Sequence, residues 1–410
     1  MIRIQSEEIS AATLSLDNRY NPSCVFHEPW NTKTPAPVAP PRAGITTLAC
    51  GSPYPAGDHG HSPAGVSQRG EGYPLVAIVG PTAAAKSALA IFLAERLSGE
   101  IINYDSVQVY WSLDIGSGKV SGEERSRVPH HLLDVAEPGQ AFTAGQYRRM
   151  AVQVAGAVRE RGKLPILAGG TGLYLRALLD GLFEGPQRSE QLRARLRTME
   201  RRHGPAFIHR LLARMDSEAA ARVHPHDTQK LIRALEVCIL AGEPISALQR
   251  RGRTGLEGFN ALKIGLNPGR EELYRRINRR VESMFAAGII DETRATLCCA
   301  GVDGQNGPCV ALGYRQALAV LKGQMTLDEA VRAAQAATRR YAKRQMTWFR
   351  READVRWFAG FGDDPAIQLQ VLENLREAFG ARPEITCSPS ARGRRPNSAE
   401  GRTYERSRNR

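Results

Sequence analysis

Cysteine, the simplest route to a covalent or metal-held framework, is scarce and unpatterned in this 410-residue chain. Its seven copies (Cys24, Cys50, Cys238, Cys298, Cys299, Cys309 and Cys387) form no C-x-x-C pair and no Cys/His cluster at zinc spacing. That excludes a zinc finger and a disulfide scaffold, and free thiols in a reducing compartment are expected. Long apolar runs are also missing, since no stretch reaches the roughly 18 consecutive apolar residues of a membrane span. The opening segment MIRIQSEEIS carries acids where a secretory leader is basic and then apolar. The expectation is a soluble, cytoplasmic protein with no membrane partner. Acidic charge is in deficit, 42 Asp and Glu against 56 Lys and Arg for a net charge of +14. This suits a polyanionic partner, and equally a solvated basic surface or tail. No internal repeat is present, and 42% hydrophobic residues suffice for the cores of two ordinary domains.

The two ends of the chain read as disordered. Residues 1–72 include TPAPVAPPRAG and GSPYPAGDHGHSPAG, rich in Pro, Gly and His and without helical or strand periodicity. The tail from about Ser388 is Arg-rich and nearly free of apolar residues. Between them, YPLVAIVG (73–80), GEIINYDSVQVY (99–110) and the start of KLPILAGGTGLYLRALLDGL (163–182) read as strands, with helical patterns after the first and third. From 186 to about 255 only helical patterns occur. ALKIGLN (261–267) then returns to strand, REELYRRINRRVESMFAAG (270–288) and the basic stretch 328–352 read as long helices, and VRWFAG (355–360) as a closing strand. Strands alternating with helices imply a parallel sheet covered on both faces.

The junction of the first strand and helix reads Gly80-Pro81-Thr82-Ala83-Ala84-Ala85-Lys86-Ser87, the position of a phosphate-binding loop. In such a loop backbone N–H groups and a helix N-terminus cradle phosphate oxygens, the Lys neutralises them and the Ser hydroxyl ligates Mg²⁺. Ala85 stands where G-x-x-x-x-G-K-[ST] calls for Gly, and a methyl there threatens strain or crowding. The fold expected is α/β: a P-loop NTPase-like parallel sheet with flanking helices and an all-helical insertion domain. Its parts are a first core segment (73–185), the insertion (186–258), a second core segment with basic helices (259–362), and a C-terminal helix with the Arg-rich tail (363–410).

Asp105 lies at the C-terminal end of the second strand, where α/β sheets place ligands. Spacing leaves open whether it is a reacting carboxylate, a helix cap or a ligand to Mg²⁺-bound water. His130 and His131 have no Cys or Asp at metal spacing and read as structural. In 338–351, Trp348 and Phe349 suit the core, and the cations suit either a solvated helix face or contact with a nucleic acid.

Seven segments together carry a resemblance: DSVQVY (105–110), LDIGSGK (113–119), PHHLLD (129–134), GGTGLY (169–174), QKLIRALEV (229–237), ALGYRQ (311–316) and AKRQMTWFR (342–350). In this order, over about 74–360, the chain resembles the tRNA dimethylallyltransferases. It departs from their pattern at Ala85, at Ser117-Gly118 where Thr-Ala is common, and in its long ends. The resemblance implies transfer of a dimethylallyl group from dimethylallyl pyrophosphate to N6 of the adenosine 3′ of the tRNA anticodon, position 37, by a monomer. It implies that Asp105 is the general base, with Thr171 in the catalytic site. The loop from Gly80 to Ser87 would bind the pyrophosphate together with Thr171 and Arg233, with Ser87 on Mg²⁺. The tRNA anticodon stem-loop would be touched by Asp105, Ser106, Val107, Gln108, Thr171 and Arg193. It would also be touched by Gln229, Lys230, Leu231, Ile232 and Arg233, and by Val310, Ala311, Leu312, Gly313, Tyr314 and Arg315. Residues 313–315 equally suit a helix start with a packing Tyr. Two other functions share parts of these signals. A small-molecule kinase would share the loop and fold but gives no reason for the GYRQ and AKRQMTWFR segments. A non-catalytic RNA-binding protein with a decayed loop is favoured by Ala85, and opposed by Asp105, Lys86, Ser87 and Thr171.

Overall fold

The computed structural model describes residues 72–300 and 311–380. The disorder expected of 1–71 and of the tail, and the role implied for Val310, lie outside those residues. Six strands form one sheet: β1 (Tyr73–Val79), β2 (Gly99–Asn103), β3 (His130–His131), β4 (Leu164–Ala168), β5 (Phe259–Leu266) and β6 (Val355–Phe358). Their order is β3-β2-β4-β1-β5-β6 and every pairing is parallel, with β1 flanked by β4 (Val76 beside Ile166) and by β5 (Val76 beside Leu262). The parallel sheet with flanking helices is therefore as the sequence led us to expect, with the two-residue β3 as an edge too short for a periodicity to show.

Alternate β1 side chains supply two cores. Leu75, Ala77 and Val79 pack with Tyr147 and Ala151 of α3 (Ala144–Glu160) and Leu175 and Leu178 of α4 (Gly172–Leu179). Val76 and Ile78 pack with Leu89 and Leu93 of α1 (Lys86–Arg96). A central strand covered on both faces must be apolar throughout, and β1 from Pro74 onward is buried throughout. The short helix α2 (Gly122–Arg127) and α3 each begin at a capping box, Ser121 with Glu124 and Thr143 with Gln146. Because all strands run the same way, the loops after β1, β2, β4, β5 and β6 gather at one edge of the sheet.

After α4, five more helices precede β5: α5 (Glu190–His203), α6 (Pro205–Met215), α7 (Ser217–Arg222), α8 (Thr228–Ala241) and α9 (Ile245–Arg250). They enclose their own core of Leu196, Ile208, Leu212, Leu231, Leu235 and neighbours. At its margin Glu236, fully buried, takes two bonds from Arg193 (2.9 and 2.8 Å), one from Arg233 (2.7 Å) and the Ser189 N–H (2.8 Å). Burial pushes the Glu236 carboxyl up, but these donors outweigh it and hold the group below its ordinary value. The chain continues through α10 (Arg270–Ala286), α11 (Ile289–Ala300), α12 (Tyr314–Leu321), α13 (Leu327–Phe349) and, after β6, α14 (Pro365–Phe379). Ile367, Val371 and Leu375 of α14 complete the core on the α1 face. Among the described residues no helix is long and apolar enough to cross a membrane.

Glu236→Ala leaves two guanidinium groups without their carboxylate, one of them buried, and the loss of one partner of a buried pair typically costs about 3–5 kcal/mol. Urea unfolding should show a loss of that order. Because the folded-state pKa of Glu236 is depressed, its contribution is complete at neutral pH and fades as pH falls through and below the ordinary carboxylate range. The parent should therefore lose more stability on acidification than Glu236→Ala does.

Candidate active site

The site assembles at the loop edge of the sheet. β1 ends in the 80–87 loop, where Ala83 and Ala85 both adopt positive φ, 63° and 60°. Ala85, in left-handed conformation, is the residue preceding α1. The geometry is thus the one a Gly would take, held by an Ala. The loop is braced from behind by the segment after β6: the Gly362 N–H donates to the Ala84 carbonyl at 2.9 Å. A Cβ on Gly362 would lie 2.4 Å from the Ala85 carbonyl oxygen, so this brace requires Gly. Ala83 packs beside Tyr274 and Phe361.

From the first turn of α1, Lys86 curls back to donate to the carbonyls of Gly80 (3.1 Å) and Pro81 (2.8 Å). Desolvation lowers its pKa to about 8; Asp105 pulls it upward and Arg280 pushes it further down. Arg280, on α10, is desolvated in the same way, which lowers its pKa, and the Asp105 carboxylate opposes that shift. Both cations keep some exposure, as a site that must admit an anion requires.

Asp105 is held by the turn it begins. Its Oδ1 accepts the Val107 N–H at 2.9 Å and, more weakly, that of Gln108 at 3.4 Å. Its own N–H donates to the buried Asn103 side chain at 3.0 Å, and Asn103 Nδ2 donates to the Leu132 carbonyl at 2.9 Å. Beneath it, the Tyr104 hydroxyl donates to the Ile78 carbonyl at 2.6 Å. A Cβ on Gly170 would stand 2.9 Å from Asp105 Oδ2, so the loop after β4 leaves room for that oxygen. The carboxylate caps a turn rather than a helix, because the next helix, α2, begins only at Gly122.

Thr171 and Gln345 tie these loops together. The Thr171 hydroxyl accepts the Ser106 N–H at 2.9 Å and donates to Ser106 Oγ at 3.0 Å. Gln345, buried on α13, accepts the Thr82 N–H through Oε1 at 2.8 Å and donates through Nε2 to the Gly170 carbonyl at 2.9 Å. Sequence reasoning missed Asn103, Arg280 and Gln345. Arg280 is one Arg among several on α10, and its signal was its place one residue from the core residue Val281 and three from Ile277.

Other expected contacts are placed differently. Arg193 is buried and spent on Glu236. Leu231 and Ile232 lie in the helical core, and Arg233 bonds Glu236 and the Pro186 carbonyl instead of facing the phosphate loop. Of that helix, Gln229 is exposed, while Lys230 pairs with Asp227 at 2.8 Å. Gly313 caps α12 and Tyr314 is fully buried, the helix start with a packing Tyr; Ala311, Leu312 and Arg315 stay partly exposed. Gln108 donates to the carbonyls of Ser117 and Gly118, both at 3.3 Å. His131 bonds Glu100 at 2.7 Å and His130 the Val128 carbonyl at 2.8 Å, both structural contacts. Phe349 is in the core and Trp348 packs against it, whereas Arg340, Lys343, Arg350 and Arg351 are exposed.

Known proteins place this arrangement. The profile of a family described as IPP transferase matches residues 108–352, more than half of the chain. A tRNA dimethylallyltransferase of Koribacter versatilis is 55% identical over 302 residues, 74% of this chain and 98% of the relative. One of Solibacter usitatus is 48% identical over 307 residues, 75% and 99%. Among solved structures, the tRNA isopentenylpyrophosphate transferase of Bacillus halodurans is 38% identical with a TM-score of 0.55, covering 75% of this chain and 96% of its own. A eukaryotic dimethylallyltransferase acting on tRNA is 25% identical with a TM-score of 0.63, covering 74% and 77%. The likeness runs nearly the whole length of the bacterial relatives, and the chain belongs to the IPP transferase family, with the tRNA dimethylallyltransferases.

Proposed function

We propose that this chain transfers the dimethylallyl group of dimethylallyl pyrophosphate to N6 of adenosine 37 in tRNA, releasing pyrophosphate, with Asp105 as general base. The observation that carries the reading is that Lys86, on the carbonyls of Gly80 and Pro81, and Arg280, on the Ser117 carbonyl, are desolvated cations that both feel the Asp105 carboxylate. Pyrophosphate is an anion with several oxygens, and Lys86 and Arg280 would offer it two cations beside the N-terminus of α1. Lys86 must exchange its carbonyl partners for phosphate oxygens, which strengthens its charge because an anion raises the pKa of an ammonium beside it.

The N6 lone pair attacks C1 of the prenyl group, the C1–O bond breaks, and its electron pair leaves on the pyrophosphate. Lys86 and Arg280 stabilise the charge that grows on the leaving oxygen. As the C–N bond forms, the N6 proton becomes acidic and passes to the Asp105 carboxylate. With Oδ1 engaged by backbone N–H groups, Oδ2 is the oxygen placed to receive it. Among the described residues no three His, Cys, Asp or Glu side chains gather as a metal site. The donors present suit Mg²⁺ carried by the pyrophosphate, since that ion favours one or two protein oxygens plus phosphates and water. Ser87 would hold it, and it would supply further neutralisation of the leaving group. Thr171 acts through Ser106 to fix the Asp105 turn. The exposed cations of α13, with Gln229, would meet the RNA, and the target adenine must leave its stack, which is cheapest in a single-stranded anticodon loop.

Asp105→Asn keeps the acceptor for the Val107 N–H but loses the base. Single-turnover prenyl transfer to an anticodon stem-loop should fall by about 10²–10⁴-fold, with inorganic pyrophosphate bound as tightly as by the parent or more so. Rates within a few-fold of the parent would remove Asp105 from this role.

Ala85→Gly tests the loop. A left-handed Ala costs about 1–2 kcal/mol, partly offset by the greater backbone entropy that Gly loses on folding, about 0.5–1 kcal/mol. The KM for dimethylallyl pyrophosphate should fall or stay equal, with no gain of ATP use, in steady-state kinetics with each compound. A large loss of transfer would mean that the methyl itself shapes the site.

A further inference from the structure

The turn at Gly116-Ser117-Gly118 lies against Arg280. A Cβ on Gly118, where φ is +58°, would lie 1.8 Å from an Arg280 Nη. Arg280 Nη2 donates to the Ser117 carbonyl at 3.4 Å. The guanidinium therefore rests on this turn, and its direction depends on where the turn is held.

What holds the turn is a carboxylate from another element. Glu292, in the first turn of α11, receives the N–H groups of Asp114 and Ile115 on Oε2, both at 2.8 Å, and that of Gly116 on Oε1 at 3.1 Å. The Tyr314 hydroxyl donates to the same Oε1 at 2.7 Å and accepts the Ser117 N–H at 3.1 Å. Four successive amides are thus fixed by one carboxylate and one phenol. A Cβ on Gly116 would lie 2.5 Å from the Tyr314 ring, so the turn also packs on that ring. Such a convergence on a partly exposed acid exceeds what a surface loop needs in order to fold. Asp114 itself is exposed, and its N–H could be satisfied by water.

We propose that Glu292 is a positioning residue for the transfer reaction: through Tyr314 and the 114–118 turn it sets the Arg280 guanidinium against the pyrophosphate. The inference rests on the reading of Arg280 as a pyrophosphate ligand. Glu292 does not touch substrate. Its negative charge is matched by the turn amides, and the turn passes on direction through the Ser117 carbonyl.

Gln is not an adequate substitute. One carboxylate oxygen would become an NH2 donor, and it would face either the Asp114 and Ile115 amides or the Gly116 amide and the Tyr314 hydroxyl. Hydrogen bonds to a charged group are among the stronger ones, so Glu292→Gln should raise both the KM for dimethylallyl pyrophosphate and the Kd for inorganic pyrophosphate about tenfold, with kcat changed less. In an Arg280→Gln background the same change should have an effect within roughly twofold, because coupled residues are not additive. A purely structural Glu292 would lower the melting temperature yet leave pyrophosphate affinity of the folded protein unchanged, and its loss would multiply with that of Arg280→Gln. Either result overturns the proposal. Should Glu292→Gln fail to fold, Tyr314→Phe removes the hydroxyl that joins Glu292 Oε1 to the Ser117 N–H, leaves the three amide bonds to Glu292, and should raise the same Kd by a smaller factor; an unchanged Kd there also overturns it. If the parent transfers no dimethylallyl group to a stem-loop, the function fails, while the pyrophosphate titration still decides the role of Glu292.

Discussion

The site depends on cations whose bonded partners are neutral. Lys86 bonds the carbonyls of Gly80 and Pro81, and Arg280 that of Ser117. Asp105, whose carboxylate both cations feel, has Oδ1 on backbone N–H groups. Neither cation has a carboxylate among these bonded partners, and in the function proposed above an anion completes them. The insertion shows the opposite arrangement with the same chemistry. There one carboxylate, Glu236, uses both oxygens on two guanidinium groups and an amide, so the cluster is closed and has nothing to offer a ligand. The contrast separates a binding site from a structural ion pair, although both join Arg to an acid.

Holding uncompensated charge in place requires rigid neighbours, and each loop at the sheet edge is tied to another. Gln345 bridges the loops after β1 and β4, Thr171 joins the loops after β4 and β2, and Gly362 braces the first loop from beyond β6. The bridging groups are neutral, so they fix geometry without consuming the charge that the substrate needs. This also explains why α13 serves two purposes. Its inner face supplies Gln345 and Phe349 to the site and core, and its outer face carries exposed cations.

Much of this was legible in the sequence because it is local. A buried parallel strand must be continuously apolar, a phosphate loop must follow it, and the acid at the end of the next parallel strand falls beside that loop. The segments 73–80, 99–105 and 163–171 obey these rules residue by residue. Where Arg193, Arg233, Leu231 and Ile232 lie was not legible, because motif membership does not say which face of a helix a side chain takes; α8 turns Leu231 and Ile232 inward, and Glu236 bonds both guanidinium groups. Arg280 and Gln345 were missed for a related reason. Each is an ordinary helical residue until packing brings it to a loop 163 or more positions earlier, and no periodicity reports such a meeting.

Ala85 brings the local and tertiary arguments together. From the sequence, an Ala in that place threatens a loop that needs left-handed backbone. The structure keeps the left-handed backbone at both Ala83 and Ala85, so surrounding contacts must outweigh an intrinsic cost of about 1–2 kcal/mol at each. The contacts available are the Gly362 N–H on the Ala84 carbonyl, the Gln345 amide on the Thr82 N–H, and the packing of Ala83 beside Tyr274 and Phe361. Two neutral hydrogen bonds contribute about 0.5–1.5 kcal/mol each, comparable to the strain they oppose. Conformation in this loop is imposed from outside, by segments more than 180 residues away. A loop Gly would have supplied it from within.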